Sequence, residues 1–175
     1  MHPFPEPTQR FHKPIRLPKE HYIGLRAYFI TLCTRDRVPY FRSPRIARWI
    51  LASLQDIAIQ RSFTLRAYGL MPDHLHVLLQ GDSLTSDLLC FAKTFKHKTT
   101  FHFRAKTGKT LWQISFFDHI LRTAEELSKA AEYILLNPVR AGLVQRPADY
   151  PILEFSRIEL TPRTRWHKSQ RYIEE

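Results

Sequence analysis

Four residues of this 175-residue chain have types and spacings that could do chemistry together. His74 and His76 stand two apart in HLHVLLQ. On a strand, positions i and i+2 point to one face, about 7 Å apart along the chain, so both imidazoles can converge on one ion. A neutral imidazole is the commonest metal ligand near pH 7. The same pair also reads as a structural or solvated His-x-His. Tyr133 and Asn137 stand four apart in AEYILLNP, hence on one face of a helix, about 6 Å apart in rise. A tyrosine hydroxyl can act as a covalent nucleophile. A free phenol ionises near pH 10, so it needs help from a cation or a base. An asparagine carbonyl can serve a hard metal ion. The alternative is plain: Tyr133 packs on a sheet, and Asn137 caps the helix before Pro138.

The elements that must position these residues follow from pattern and punctuation. AYFITLCT (27–34) reads as a strand and is followed by a basic loop, TRDRVPYF. Residues 43–61 read as a helix: Ser43 can cap it, Pro44 suits its first position, and Ile46, Ile50, Leu54 and Ile57 form one stripe. FTLRAYGL (63–70), the MPD turn and HLHVLLQ (74–80) read as an antiparallel hairpin. A helix is expected from about Thr85 to Arg104, with Phe91 and Phe95 in the core. LWQISFF (111–117) looks like a fourth strand. Thr123 and Glu126 form a capping box for a last helix that Pro138 should disturb. The order β-α-β-β-α-β plus a helix is an α+β, ferredoxin-like split-βαβ plan, with an antiparallel sheet and helices mainly on one face. The fold alone does not decide function.

Composition narrows the partner. The length suits one domain, and 43% hydrophobic with 25% charged residues is ordinary globular usage. No run approaches the roughly 20 apolar residues of a membrane helix. The polar, Pro-rich start lacks an apolar signal core. Cys33 and Cys90 form no CxxC pair, which fits two free thiols in a reducing cytoplasm. The net charge is +11 and the pI about 10.0, the electrostatic footprint of a polyphosphate partner. Residues 1–70 carry +8 of that charge and the remainder +3. Arg35, Arg37, Arg42, Arg45 and Arg48 form the densest group and suit bidentate phosphate contact, although some could pair with acids of the last helix. FAKTFKHKTTFHFRAKTGK (91–109) interleaves Lys93, Lys96, Lys98, Arg104, Lys106 and Lys109 with phenylalanines. Such a stretch can track a nucleic-acid backbone or simply be an amphipathic helix with a solvated basic face. Residues 1–22, with five prolines, read as an extended arm, 23–155 as the domain, and 156–175 as a basic tail.

Four stretches in this order have a family likeness: YFITLCTRDRVPYF (28–41), YGLMPDHLHVLL (68–79), LWQISFFDHILR (111–122) and EELSKAAEYILLNPVRAGLV (125–144). Together they resemble the REP-associated tyrosine transposases, within the single-tyrosine HUH transposase superfamily. The resemblance implies an HUH-nuclease type of fold with a C-terminal catalytic helix. It implies that His74, His76 and Asn137 hold a divalent metal, Mg or Mn, and that Tyr133 is the nucleophile. It implies a metal-dependent single-stranded DNA endonuclease and strand transferase acting on hairpin-forming repeats through a 5′-phosphotyrosine. His119 lies in a matching segment and is expected in a structural or DNA-contact role. The expected partner is single-stranded or hairpin DNA, with no membrane, in a monomer or homodimer. The rivals are a non-catalytic hairpin DNA- or RNA-binding regulator on the same fold and a replication-initiator or relaxase-type nickase.

Overall fold

The computed structural model describes residues 17–151 and 153–155. The expected tail (156–175) and the arm up to residue 16 lie outside the described residues. The end of the arm is not extended: Lys19–Tyr22 make a 3-10 turn, and buried Tyr22 donates its hydroxyl to Asp118 Oδ2 at 2.7 Å.

The elements are β1 (Ala27–Cys33), α1 (Pro44–Gln60), β2 (Phe63–Met71), β3 (His74–Gly81), α2 (Leu88–Thr107), β4 (Phe117–Leu121), α3 (Ala124–Arg140) and β5 (Leu153–Phe155). The sheet order is β4-β1-β3-β2-β5, antiparallel throughout. Its first four strands have the split-βαβ order expected from the sequence. β5 is an added strand on the β2 edge.

Every residue of β1 is buried because both faces of the central strands are covered. Tyr28, Ile30 and Leu32 point into one core with Leu75, Val77 and Leu79 of β3, closed by α1 and α2. Ala27 and Phe29 point the other way, with Leu78, and meet Leu127, Ala130, Ala131, Tyr133 and Ile134 of α3. Strand alternation therefore sends His76, in phase with Leu78, to the α3 face. Among the described residues, α1 and α2 cover one face and α3 lies on the other.

Three expectations need correcting. The strand expected at 111–117 lies instead at Phe117–Leu121. Leu111, Trp112 and Phe116 are buried plugs rather than strand residues, and the Trp112 indole donates to Thr99 Oγ1 at 2.8 Å. Trp112 makes only an isolated bridge with Thr34, and continuous pairing with β1 begins where Phe117 meets Thr31. The second helix starts later than expected, at Leu88, with Asp87 accepting from the Cys90 amide. It ends at Gly108, whose φ of 71° suits a residue without a Cβ. Pro138 does not end α3, which runs on to Arg140. The proline lies in the last turn, where its missing amide removes only the bond to the Ile134 carbonyl. The amides that follow still close the helix end: those of Ala141 and Gly142 donate to the Asn137 and Val139 carbonyls. Thr123 and Glu126 do form the capping box.

Candidate active site on the α3 face

The four candidate residues come together. His74 and His76 come from β3, and Tyr133 and Asn137 from α3; each is at most 4% exposed. The two Nε2 atoms are 3.1 Å apart, and Asn137 Nδ2 lies 2.9 Å from His76 Nε2. The Tyr133 ring meets the His76 ring edge-on at 5.4 Å between centroids. Phe29 underlies the group, stacked on His76 at 5.5 Å and edge-on to Tyr133 at 5.7 Å. Asn137 is thus not a helix cap, and Tyr133 lies beside the histidines.

The far side of each imidazole is held. Thr31 Oγ1 lies 2.8 Å from His76 Nδ1, and Asp73 Oδ1 lies 2.6 Å from His74 Nδ1. A carboxylate only accepts, so Nδ1 of His74 carries the proton and its Nε2 keeps a lone pair. Thr31 can donate or accept, so it serves His76 in either tautomer.

The loop after β1 holds the turn that bears these groups. The Thr34 amide and hydroxyl both donate to the Asp73 carbonyl at 2.9 Å, and the Phe41 amide donates to the Pro72 carbonyl at 3.0 Å. Arg37 Nε pairs with Asp73 Oδ2 at 3.2 Å, and its Nη1 donates to Cys33 Sγ at 3.0 Å. Asp36 and Arg37 both have φ near +55°, a region that disfavours side chains. That local strain is tolerated where it brings Arg37 onto Asp73.

Burial lowers the His74 pKa against the opposing pull of Asp73. Burial lowers that of His76 well below the usual histidine range, helped by the charges of His74 and Arg37. Burial pushes the Asp73 carboxyl up, but the hydrogen bond and charge of His74, together with Arg37, outweigh it and leave it low. The lowered pKa values favour neutral imidazoles. His74 turns its Nε2 lone pair inward with an anion behind it, and His76 does so in the tautomer protonated at Nδ1.

This donor set fits a divalent cation. Two nitrogens bound to one ion at about 2.1 Å stand roughly 3 Å apart, which matches the His pair. A half-turn of the Asn137 amide exchanges its NH2 for its carbonyl oxygen, so it can donate to a bare Nε2 or offer oxygen to an ion. Among the described residues no group of three or more His, Cys, Asp or Glu is placed to hold a metal. The third donor here is an amide.

The expected DNA-contact residues are distributed unevenly. The His74 end of the sheet is where β1 ends, α1 begins and α2 finishes, as the contact of Trp49 with His102 and that of Tyr40 with Phe103 indicate. Exposed Arg35, Arg42, Arg45, Arg48 and Arg104 stand toward this end. Arg35 also lies 3.5 Å from Asp36. Half-buried Lys96 donates to the carbonyls of Gln113 and Ile114 at 2.6 and 2.7 Å. Lys98 is half-buried, and exposed Lys93 lies nearer the start of α2. His119 is half-buried on β4, opposite Phe29. Sequence reading missed the roles of Thr31, Phe29 and Asp73. Only Asp73 left a signal, a carboxylate directly before His74.

The fold and this face define a class. Residues 24–136 match the family model described as Transposase IS200 like. The chain belongs to that family. It is 26% identical over 143 residues to the REP-associated tyrosine transposase of Escherichia coli K12, covering 79% of this chain and 82% of that protein. A Haemophilus influenzae protein is 28% identical over 141 residues, covering 74% of this chain and 80% of its own. Among solved structures, a REP-associated tyrosine transposase bound to a REP hairpin shares the fold, with a TM-score of 0.70, 22% identity and 82% coverage of each chain.

Proposed function

We propose that this transposase cleaves and rejoins single-stranded DNA beside a hairpin-forming repeat through a covalent tyrosine intermediate. The observation that carries this reading is the meeting of Tyr133, His74, His76 and Asn137 in one buried group from two distant elements. A non-catalytic binder would not need that combination. The names of the relatives support the REP hairpin as substrate class, and the charge of +11 suits it.

In this reading His74, His76 and Asn137 hold Mg or Mn. Such an ion, when bound, polarises the non-bridging oxygens of the scissile phosphate. Tyr133 Oη attacks phosphorus in line and the P–O3′ bond breaks. The phenolic proton passes to water and the departing 3′-oxygen is protonated, so a 5′-phosphotyrosine and a free 3′-hydroxyl result. The new ester keeps the phosphodiester bond energy, so a second 3′-hydroxyl can reverse the attack and join a different strand. Phe29 and α3 keep the nucleophile and the histidines in fixed relation. Its DNA substrate assigns the protein to the cytoplasm.

The test is covalent capture on a denaturing gel, using a pool of end-labelled hairpin oligonucleotides with randomised single-stranded flanks, in Mg or Mn. A metal-dependent adduct that vanishes in Tyr133→Phe, with hairpin binding kept within about twofold, is expected. Tight binding without an adduct would replace this reading with the hairpin-binding regulator.

A further inference from the structure

Arg140 closes α3 and points back toward the site. It is seven residues beyond Tyr133 and so on the same helix face, with Asn137 between them. Two turns of helix separate the two Cα atoms by about 10 Å. Yet the Arg140 guanidinium carbon lies 5.6 Å from the centroid of the Tyr133 ring. The reach follows from geometry, because long helical side chains lean toward the N-terminus and over the preceding turn. Tyr133 is buried, whereas Arg140, whose guanidinium lies over its ring, is exposed.

The reaction proposed above brings two negative groups together: a phenolate forming at Tyr133 and a phosphodiester. The histidines supply neutral nitrogens, and the cation they would hold lies on their side of Tyr133, so a second positive group over the tyrosine ring would offset the remaining repulsion. Asp73 already occupies Arg37. A planar guanidinium carries a permanent charge and a fork of donors that matches phosphate oxygens.

We infer that Arg140 is a catalytic residue, binding the non-bridging oxygens of the phosphodiester presented to Tyr133 and offsetting the charge that builds between phenolate and phosphorus. This inference rests on Tyr133 as nucleophile. In the forward step the Oη–P bond forms, the P–O3′ bond breaks and Arg140 gains and loses no proton. In the reverse step the same guanidinium faces the phosphotyrosine while an incoming 3′-hydroxyl attacks. The competing role is packing: an arginine at a helix C-terminus also suits the helix dipole and can lie over an aromatic ring without touching substrate.

The experiment uses the hairpin captured best by the full-length wild-type chain, resynthesised with a methylphosphonate at the cleaved linkage. That group removes the negative charge and one non-bridging oxygen. On the ordinary phosphodiester, Arg140→Gln should slow capture by about 10²-fold, as for loss of one preorganised donor. Hairpin binding should change by less than about threefold, as expected when one peripheral charge is removed. On the methylphosphonate the gap between wild type and variant should close to within a few fold. In a second arm, added guanidine should restore capture by Arg140→Ala and leave Tyr133→Phe inactive. Arg140→Lys, which keeps the charge but not the fork, should fall between wild type and Arg140→Gln. Failure of both rescues, or an undiminished rate in Arg140→Gln, would return Arg140 to a packing role. A wild-type chain that forms no adduct, or a Tyr133→Phe variant that does, would instead overturn the reading of Tyr133.

Discussion

Replacing Asp73 should weaken divalent-metal binding more than it weakens the fold. Its carboxylate stands 2.6 Å from Nδ1 of His74, whose side chain is only 4% exposed, and pairs on its other oxygen with Arg37. A hydrogen bond to a charged group contributes about 1.5–3 kcal/mol. Loss of a partner behind a metal-binding histidine lowers metal affinity about 10–100-fold, or roughly 1.4–2.7 kcal/mol. The two ranges overlap, which sets the expectation for Asp73→Ala near 30-fold. A second effect acts in the same direction. Loss of the Asp73 carboxylate removes one negative charge from beside Arg37, leaving the proposed cation site more positive. Asp73→Asn retains an oxygen that can accept from His74 and should lose about tenfold, the lower end of that range. The backbone clamps of this turn are untouched, because Thr34 and Phe41 donate to the carbonyls of Asp73 and Pro72. The assay is calorimetric titration of the purified chain with Mn, paired with thermal melting and with His76→Ala as the non-binding reference. Unchanged affinity in Asp73→Ala, alongside lost binding in His76→Ala, would show that Asp73 does not tune the histidine and would refute the reasoning.

Further outcomes are expected for Phe29 and for the basic surface. Phe29→Ala should destabilise the chain by about 3–5 kcal/mol in denaturant unfolding, since a fully buried aromatic is removed. Without denaturant it should also slow covalent capture, because Phe29 supports both His76 and Tyr133; destabilisation of under about 1 kcal/mol would contradict its place in the core. Alanine at Arg35, Arg42 and Arg104 together should make hairpin binding less salt-dependent, the log–log slope falling by about 0.7–0.9 for each phosphate that is no longer neutralised. Lys93→Ala should leave that slope nearly unchanged, and an equal effect at Lys93 would place the DNA on a different part of the surface.

Much of the fold is legible in the sequence because its signals are local. The period of two in HLHVLLQ sets His74 and His76 on one face, and the spacing of four sets Tyr133 and Asn137 on another. The capping box at Thr123 and Glu126 marks the start of α3 within a few residues of sequence. Less legible is the segment from Leu111 to Phe117. Its apolar run suits a strand, yet Leu111, Trp112 and Phe116 are drawn into the core, and ladder pairing starts only at Phe117. Burial competes with strand pairing there, and periodicity does not tell which prevails. Pro138 reads as a disturbance from its chemistry alone, but one bond lost to the preceding turn does not stop α3, which runs on to Arg140.

The sequence by itself determined the residue types, their spacing along each element and the basic charge of the chain. Those are properties of the local backbone period and of composition. Only the tertiary structure decided that the β3 histidines and the α3 pair occupy the same face, since His76 and Asn137 meet across 61 residues of chain. It alone brought Thr31 across the β1–β3 register to His76. It also carried Arg37 onto Asp73 and Arg140 back over Tyr133. Such meetings depend on strand order, register and side-chain direction, which are set by packing the two faces of one sheet at once and leave no period in the sequence.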